Sequence, residues 1–186
     1  MKNMKSNSNR DAQQTVQKFD DIEKNPIALS EDYTKQVIEQ LNTDIASHFI
    51  TFYQLKKQHW IVEGPDWKHI SAALDSYAKT NLELAEKLAE RITLIGGIPV
   101  SNPSRFEALS YVQFEGEDKY NLRTMLENDL KAEQKLITSI RERIDFAKEN
   151  RDHGIDDLLK DVLEGHENTA HELHHYLQEE SLEKGL

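Results

Sequence analysis

The sequence predicts an all-α protein: a bundle of four long helices, with a long connection between the second and third and a short extra helix ahead of the first. Three observations predict it. Apolar residues recur at steps of three and four over four separate windows. No alternating strand pattern runs beyond a few residues. Gly and Pro number only seven and four in 186 residues, and most fall between the windows. Helices joined by short, long and short connections indicate a four-helix bundle. The chain divides into an N-terminal extension, residues 1–29, and the bundle, residues 30–186.

Residues 1–9 are polar and Ser/Asn-rich, a composition expected to be disordered. Ala12, Val16 and Phe19 then form one weak apolar stripe, which predicts a short surface helix from Arg10 to about Glu23. Asn25-Pro26 breaks it. Ser30 is a natural N-cap for the first long helix, with Glu31 and Asp32 in its first turn. Its stripe is Val37, Ile38, Leu41, Ile45, Phe49, Phe52 and Leu55, and it ends near Trp60. Glu63-Gly64-Pro65 is a turn, and Asp66 stands where a cap for the second helix belongs. That helix shows Trp67, Ile70, Leu74, Tyr77, Leu84, Leu88, Ile92 and Ile95. Gly96-Gly97 stops it and Pro99 bars continuation.

Residues 98–119 form a connection long enough to need a reason in a compact bundle. A crossover between parallel neighbouring helices supplies one. The third helix is expected from about Tyr120 to Asn150, on Leu122, Leu126, Leu130, Ile137, Ile140, Ile144 and Ala147. Asp152-His153-Gly154 is a turn. The fourth helix is expected from about Ile155 to Glu180, on Leu158, Leu159, Val162, Leu173 and Leu177.

The net charge of -11 gives a surface that attracts cations and repels nucleic acid unless a local basic element intervenes. Lys2, Lys5, Arg10 and Lys18, against Asp11 alone, make the first nineteen residues such an element, with a net charge of +3. No cysteine is present, so disulfides, thiolate metal sites and Cys nucleophiles are excluded. Any metal must use His and carboxylates, a donor set for iron, manganese or zinc. No apolar run reaches 18 residues, so no membrane partner is expected, and the N-terminus lacks the apolar core of a secretion signal. The expected location is the cytoplasm.

The second helix carries the most informative chemistry. Ser71 and Asp75 are four apart, as are Glu86 and Glu90, and the eleven residues from Asp75 to Glu86 make three turns with about 20° of drift. All four share one stripe. Asp75 and Glu86 are separated by roughly 16 Å along the axis, so one helix cannot bring both to one metal. Two such helices packed antiparallel across a two-fold axis can. His59 falls close to Asp75 once the chain reverses at Gly64, which completes a set of one imidazole and three carboxylates. That set suits Fe(II) and its oxidation to Fe(III). The same acids could instead make ordinary surface pairs with Lys87 and Arg91.

The stretch from His59 to Pro99 resembles the Dps family, the DNA-protecting mini-ferritins, at His59-Trp60, Gly64, Asp75, Tyr77, Glu90-Arg91, Gly96-Gly97 and Pro99. The resemblance implies a ferritin-like four-helix bundle, a homododecameric shell, iron as the bound metal, and non-specific binding of double-stranded DNA in the nucleoid. It implies an intersubunit ferroxidase site of His59 and Asp75 with Glu86 and Glu90 of a neighbour, Glu86 replacing an Asp. It also implies a second His at the position of Ser71, and serine is a poor ligand. His69, two residues earlier, lies about 200° around the helix. No catalytic residue is therefore assigned outright, and an impaired ferroxidase is expected in a shell that coats DNA and sequesters iron. The alternative is a fully active ferroxidase and iron store without DNA binding.

Asp152, Asp157 and Asp161 are candidates for an acidic pore, although acids near a helix N-terminus are also favoured by its dipole. His166, His171, His174 and His175 crowd the fourth helix; His171 and His175 share a face and could chelate a metal, against a plain polar-face reading. Trp60 and Tyr77 near the iron site could take up oxidising equivalents, or simply pack. The basic N-terminal residues Lys2, Lys5, Arg10 and Lys18 are the DNA-binding candidates. No base-reading pattern accompanies them, so binding would be sequence-independent.

Overall fold

A computed structural model describes residues 15–178. Lys2, Lys5 and Arg10 lie outside the described residues, as does the start of the expected N-terminal helix. Five α-helices form among the described residues: α1 (Glu31–Ile61), α2 (Trp67–Leu94), the one-turn α3 (Phe106–Leu109) after a 3₁₀ turn at Pro103–Arg105, α4 (Leu122–Glu149) and α5 (His153–Leu177). No strand occurs among the described residues. The all-α, four-helix expectation holds, and the long elements begin and end within a few residues of the sequence signals.

The caps explain the boundaries. Ser30 Oγ accepts from Tyr33 N (3.4 Å) at the start of α1, and Asn121 Oδ1 accepts from Thr124 N (3.0 Å) at the start of α4. Asp66 begins α2 without a side-chain cap. Gly96 ends α2 with φ +92°, while Gly97 N donates to Ile92 O (2.9 Å) and Gly96 N to Thr93 O (3.1 Å). This is a Schellman closure, which needs the left-handed region that glycine enters without strain.

Residues 15–23 are turn and coil, so the predicted short helix is not formed over its described part. The stripe is not kept either: Val16 is exposed, while Phe19, joined by Ile22, packs on the core. Glu23 N and Gln17 Nε2 both donate to Gly96 O (2.9 Å each), and the Arg105 guanidinium sits 4.2 Å from the Phe19 ring centroid. The segment is a strap across the end of α2. A side chain at Gly96 would collide with the Glu23 carbonyl, which is why the strap can lie so close.

Two antiparallel hairpins, α1–α2 and α4–α5, make the bundle. Asp152 at the head of α5 meets Tyr33 at the start of α1 and Arg91 at the end of α2, which fixes one end. Tyr77 near the start of α2 reaches Glu172 near the end of α5 towards the other. Helices α2 and α4 therefore run parallel, and the crossover traverses the length of the bundle. They are diagonal rather than neighbouring, however: α1 packs on α4 and α2 on α5. The crossover is needed because the parallel pair spans the diagonal. It is strapped to α1 by Ser47, Gln54 and Lys57, whose partners are Tyr111 N, Glu115 N and the Glu115 carboxylate.

The apolar core is split. One cluster, with Leu41, Ile45, Leu84, Leu88, Ile140, Leu159 and Val162, fills one end, and another, with Leu55, Leu74, Ala78, Met125, Leu126 and Leu173, fills the other. Between them lies a buried polar layer: His48, Asn81, Asp129, Glu133 and His166.

Candidate metal centre

The two hairpin helices α1 and α2 bring His59 beside Ser71. His59 Nδ1 lies 2.8 Å from the Ser71 carbonyl oxygen. A carbonyl only accepts, so Nδ1 carries the proton and Nε2 presents a lone pair, the tautomer of a metal-ligating histidine. Ser71 Oγ sits 2.9 Å from the same Nδ1 and reaches the His59 carbonyl at 3.2 Å. Ser71 is thus a clamp on His59 in the place where the family pattern puts a second imidazole. His69 is exposed and takes no part in that clamp.

One turn further along α2, Asp75 is engaged on both oxygens. Lys56 Nζ from α1 donates to Oδ1 at 2.7 Å, and Lys79 Nζ, four residues along α2, stands 2.7 Å from Oδ2. These bonds, Lys56 first, hold the Asp75 carboxyl down at about 2, below the usual carboxylate range. Two ammonium groups occupy positions that a cation would take. Glu86 and Glu90 are exposed further along α2, separated from Asp75 by the helix rise. Among the described residues no three His, Asp or Glu side chains of one subunit converge to hold a metal. The α2 set can meet only if a second copy supplies half of it.

Similarity to known proteins gives the family. A family model for the ferritin-like domain matches residues 38–182. The "DNA protection during starvation protein" of Halobacterium salinarum is 35% identical over 156 residues, covering 84% of this chain and 86% of that one. The chain belongs to the Dps family. A "nutrient stress-induced DNA-binding protein" of Nostoc is 31% identical over 176 residues, 95% of this chain and 96% of that one. The crystal structure of an archaeal Dps homologue from Halobacterium salinarum superposes with a TM-score of 0.87 at 32% identity, covering 92% of this chain and 96% of that one.

In this Dps-family chain the expected pore acids separate into two kinds. Asp152 is only 5% exposed: it caps α5 through Ile155 N (3.0 Å), pairs with Arg91 Nη2 (3.0 Å) and accepts from Tyr33 Oη (3.2 Å). Burial, then the Asp152 charge, pushes the Tyr33 hydroxyl up. Asp152 is a structural keystone, since a mostly buried guanidinium needs its charge, and its carboxylate is engaged within its own subunit. Asp157 and Asp161 are exposed, and Asp157 pairs with Lys160 at 3.3 Å. Lys18 is exposed on the strap.

The aromatic neighbours also diverge. Trp60 is 70% exposed. Tyr77 is buried and donates to Glu172 Oε2 (2.7 Å); burial first and that carboxylate second push its hydroxyl up. His171 and His175 are exposed with Nε2 atoms 3.1 Å apart, while His174 turns to Gln178.

The buried polar layer of this Dps chain escaped the sequence reading, which grouped His166 with the exposed histidines of α5. His166 is 1% exposed and His48 0%. The available signal was His48 in an apolar stripe four residues after Asp44, with Asp129 and Glu133 four apart on α4. Burial pushes the His48 imidazole down to about 3 and the Asp129 carboxyl up to about 8.

Among the described residues, no helix is long and apolar enough to cross a membrane.

Proposed function

We propose that this protein is a Dps-type shell subunit that coats DNA without sequence preference, takes up iron, and oxidises it slowly. The observation that supports slow oxidation is the double lysine clasp on Asp75. Fe(II) reaching that carboxylate must displace two ammonium groups, and the position of Ser71 offers no imidazole in return. Iron is substrate and cargo here. His59 Nε2 would bind it from one subunit, and Glu86 and Glu90 from the next.

Self-association is supported by the exposed apolar surface of the first hairpin: Tyr53, Trp60, Trp67 and Leu82 are all exposed. Large side chains of this kind clustered on one hairpin mark an interaction face. A two-fold pairing through it would set Asp75 against Glu86 and Glu90 of a second copy, and twelve subunits would close the shell. DNA binding is supported by the names of the Halobacterium and Nostoc relatives and by the basic N-terminal residues Lys2, Lys5, Arg10 and Lys18. DNA protection would then combine a physical coat with removal of Fe(II) from its neighbourhood.

One observation favours the alternative, an active ferroxidase. His59 is already fixed in the ligating tautomer. Stopped-flow Fe(II) oxidation under air and under peroxide, on assembled wild type and Glu90→Ala, separates the two. The expected result is a slow wild-type rate that falls further in the variant, and equal rates would show that the α2 carboxylates take no part. A fast wild-type rate lost in the variant would establish the ferroxidase instead.

A further inference from the structure

The polar layer at the centre of the bundle contains an arrangement that needs a cation. His48 Nδ1 lies 2.7 Å from the Asp44 carbonyl oxygen, which can only accept, so this ring carries its proton on Nδ1. His166 Nδ1 lies 2.6 Å from Glu133 Oε2, a carboxylate oxygen, and donates to it. Both rings therefore present Nε2 lone pairs, and these face each other at 2.9 Å with both side chains fully enclosed. Two lone pairs at that distance repel unless a positive centre lies between them.

Three features favour a metal ion over a proton. Both rings have the outer contacts of ligating histidines, one Nδ1–H on a backbone carbonyl and one on a carboxylate. The layer also has a spare buried acceptor. Asn81, whose Nδ2 is 3.4 Å from Glu133 Oε1, has an Oδ1 without a hydrogen-bond partner. A proton held between the two rings would not satisfy it, whereas buried polar atoms left unpaired commonly mark a missing ion or water. Finally, two metal–nitrogen bonds of about 2.05 Å spanning this separation subtend about 90°, the angle between adjacent ligands of a six-coordinate ion.

We propose that His48 and His166 form an intrasubunit site for a divalent transition-metal ion of the zinc, cobalt or iron class. Glu133 and the Asp44 carbonyl orient the two rings, and the unpaired Asn81 amide oxygen lies in the same buried layer. The site joins α1 and α5 directly and α4 through Glu133, so one ion would cross-link three of the four long helices. It is separate from the α2 carboxylates and requires no second subunit.

The test uses assembled, chelator-stripped full-length protein carrying Asp75→Asn, Glu86→Gln, Glu90→Gln, His171→Ala and His175→Ala, which removes the intersubunit carboxylates and the exposed histidine pair. Co(II) is the probe, read by visible absorption and by metal retained after desalting. The expected result is one Co(II) per subunit. Adding His48→Gln or His166→Gln should abolish retention, and Glu133→Gln, a positioning change, should weaken it about tenfold or more. Absence of retained Co(II) from the parent variant overturns the proposal, as does undiminished retention in a folded His48→Gln or His166→Gln protein. Should those two variants fail to fold, the parent variant still decides: two paramagnetically shifted imidazole N–H resonances are expected on adding Co(II), and their absence refutes the site, leaving a proton as the only occupant.

Discussion

Lys56 Nζ donates to Asp75 Oδ1 at 2.7 Å, from the helix opposite the one that carries the acid. With Lys79 on the other oxygen, the carboxylate is fully engaged by its own subunit. Both lysines are long side chains at a partly open site, so removing them should leave the fold intact. Lys56→Met with Lys79→Met is expected to strengthen Fe(II) or Zn(II) binding at the α2 site by about tenfold or more, on the scale of changes around a ligand. Adding Ser71→His should raise the oxidation rate further. Titration calorimetry with Zn(II) and stopped-flow oxidation check both. Unchanged affinity in the double variant would show that the ammonium groups are not what holds metal away.

The Asp152–Arg91 pair is of the opposite kind, because it is enclosed. Asp152→Ala removes a cap, strands a guanidinium that is mostly buried and leaves Tyr33 without its acceptor. Breaking such a pair costs about 3–5 kcal/mol. Asp157→Ala, on the exposed face, should stay within about 0.5 kcal/mol. Denaturant unfolding measures the difference. Iron uptake per folded protein is expected to be the same in Asp152→Ala as in wild type, and a selective loss of uptake would place this residue in a pore.

The two aspartates show what the sequence could reveal and why it stopped. Helix ends were legible because caps and glycines act over four or five residues: Ser30 and Gly96-Gly97 each mark a boundary in place. The α2 stripe was legible because helical periodicity alone sets it. Partners distant in sequence were not. Lys56 on Asp75, Arg91 on Asp152 and His48 on His166 are separated by 19, 61 and 118 residues, and only the packing of hairpins brings them together. The N-terminal stripe misled for a related reason. Three apolar residues cannot say whether they form a helix or, as here, leave Val16 in water while Phe19 and Ile22 cover the core from a strap of turns and coil.

The buried layer gives stability a pH dependence with a definite sign. An unfolded Asp ionises near pH 4, but Asp129 in the fold holds its proton to about 8. Between those values the folded state binds the extra proton, so stability falls as pH rises. Asp44, raised by burial to about 6, acts likewise over a narrower range. His48 acts oppositely: it stays neutral down to about 3 while the unfolded imidazole protonates below about 6.5, so its contribution is lost as pH falls. Above pH 6.5 only Asp129 of these three still titrates. A decline approaching about 1.4 kcal/mol per pH unit near pH 6.5 and about half as steep at pH 8 is expected in metal-free protein. Asp129→Asn, able to keep the bond from Gln54 (2.8 Å), should flatten it. Chemical denaturation across that range is the measurement, and an equal slope in the variant would rule Asp129 out as its source.

The strap decides where a DNA-binding test must cut. Deleting residues 1–24 would remove Phe19, Ile22 and the bonds from Gln17 and Glu23 to Gly96, so lost DNA binding could reflect a damaged shell. Deleting residues 1–14 removes Lys2, Lys5 and Arg10 with Asp11, a net +2 per subunit, and leaves those contacts in place. Across twelve subunits that charge would act in concert, since tethered weak contacts gain through effective concentration. Phosphate contacts also make affinity fall steeply with salt. The shortened protein is expected to remain assembled by light scattering and to lose plasmid retardation in low salt. Retardation equal to the full chain, with an unchanged salt dependence, would move the DNA contact off the N-terminus and onto the shell.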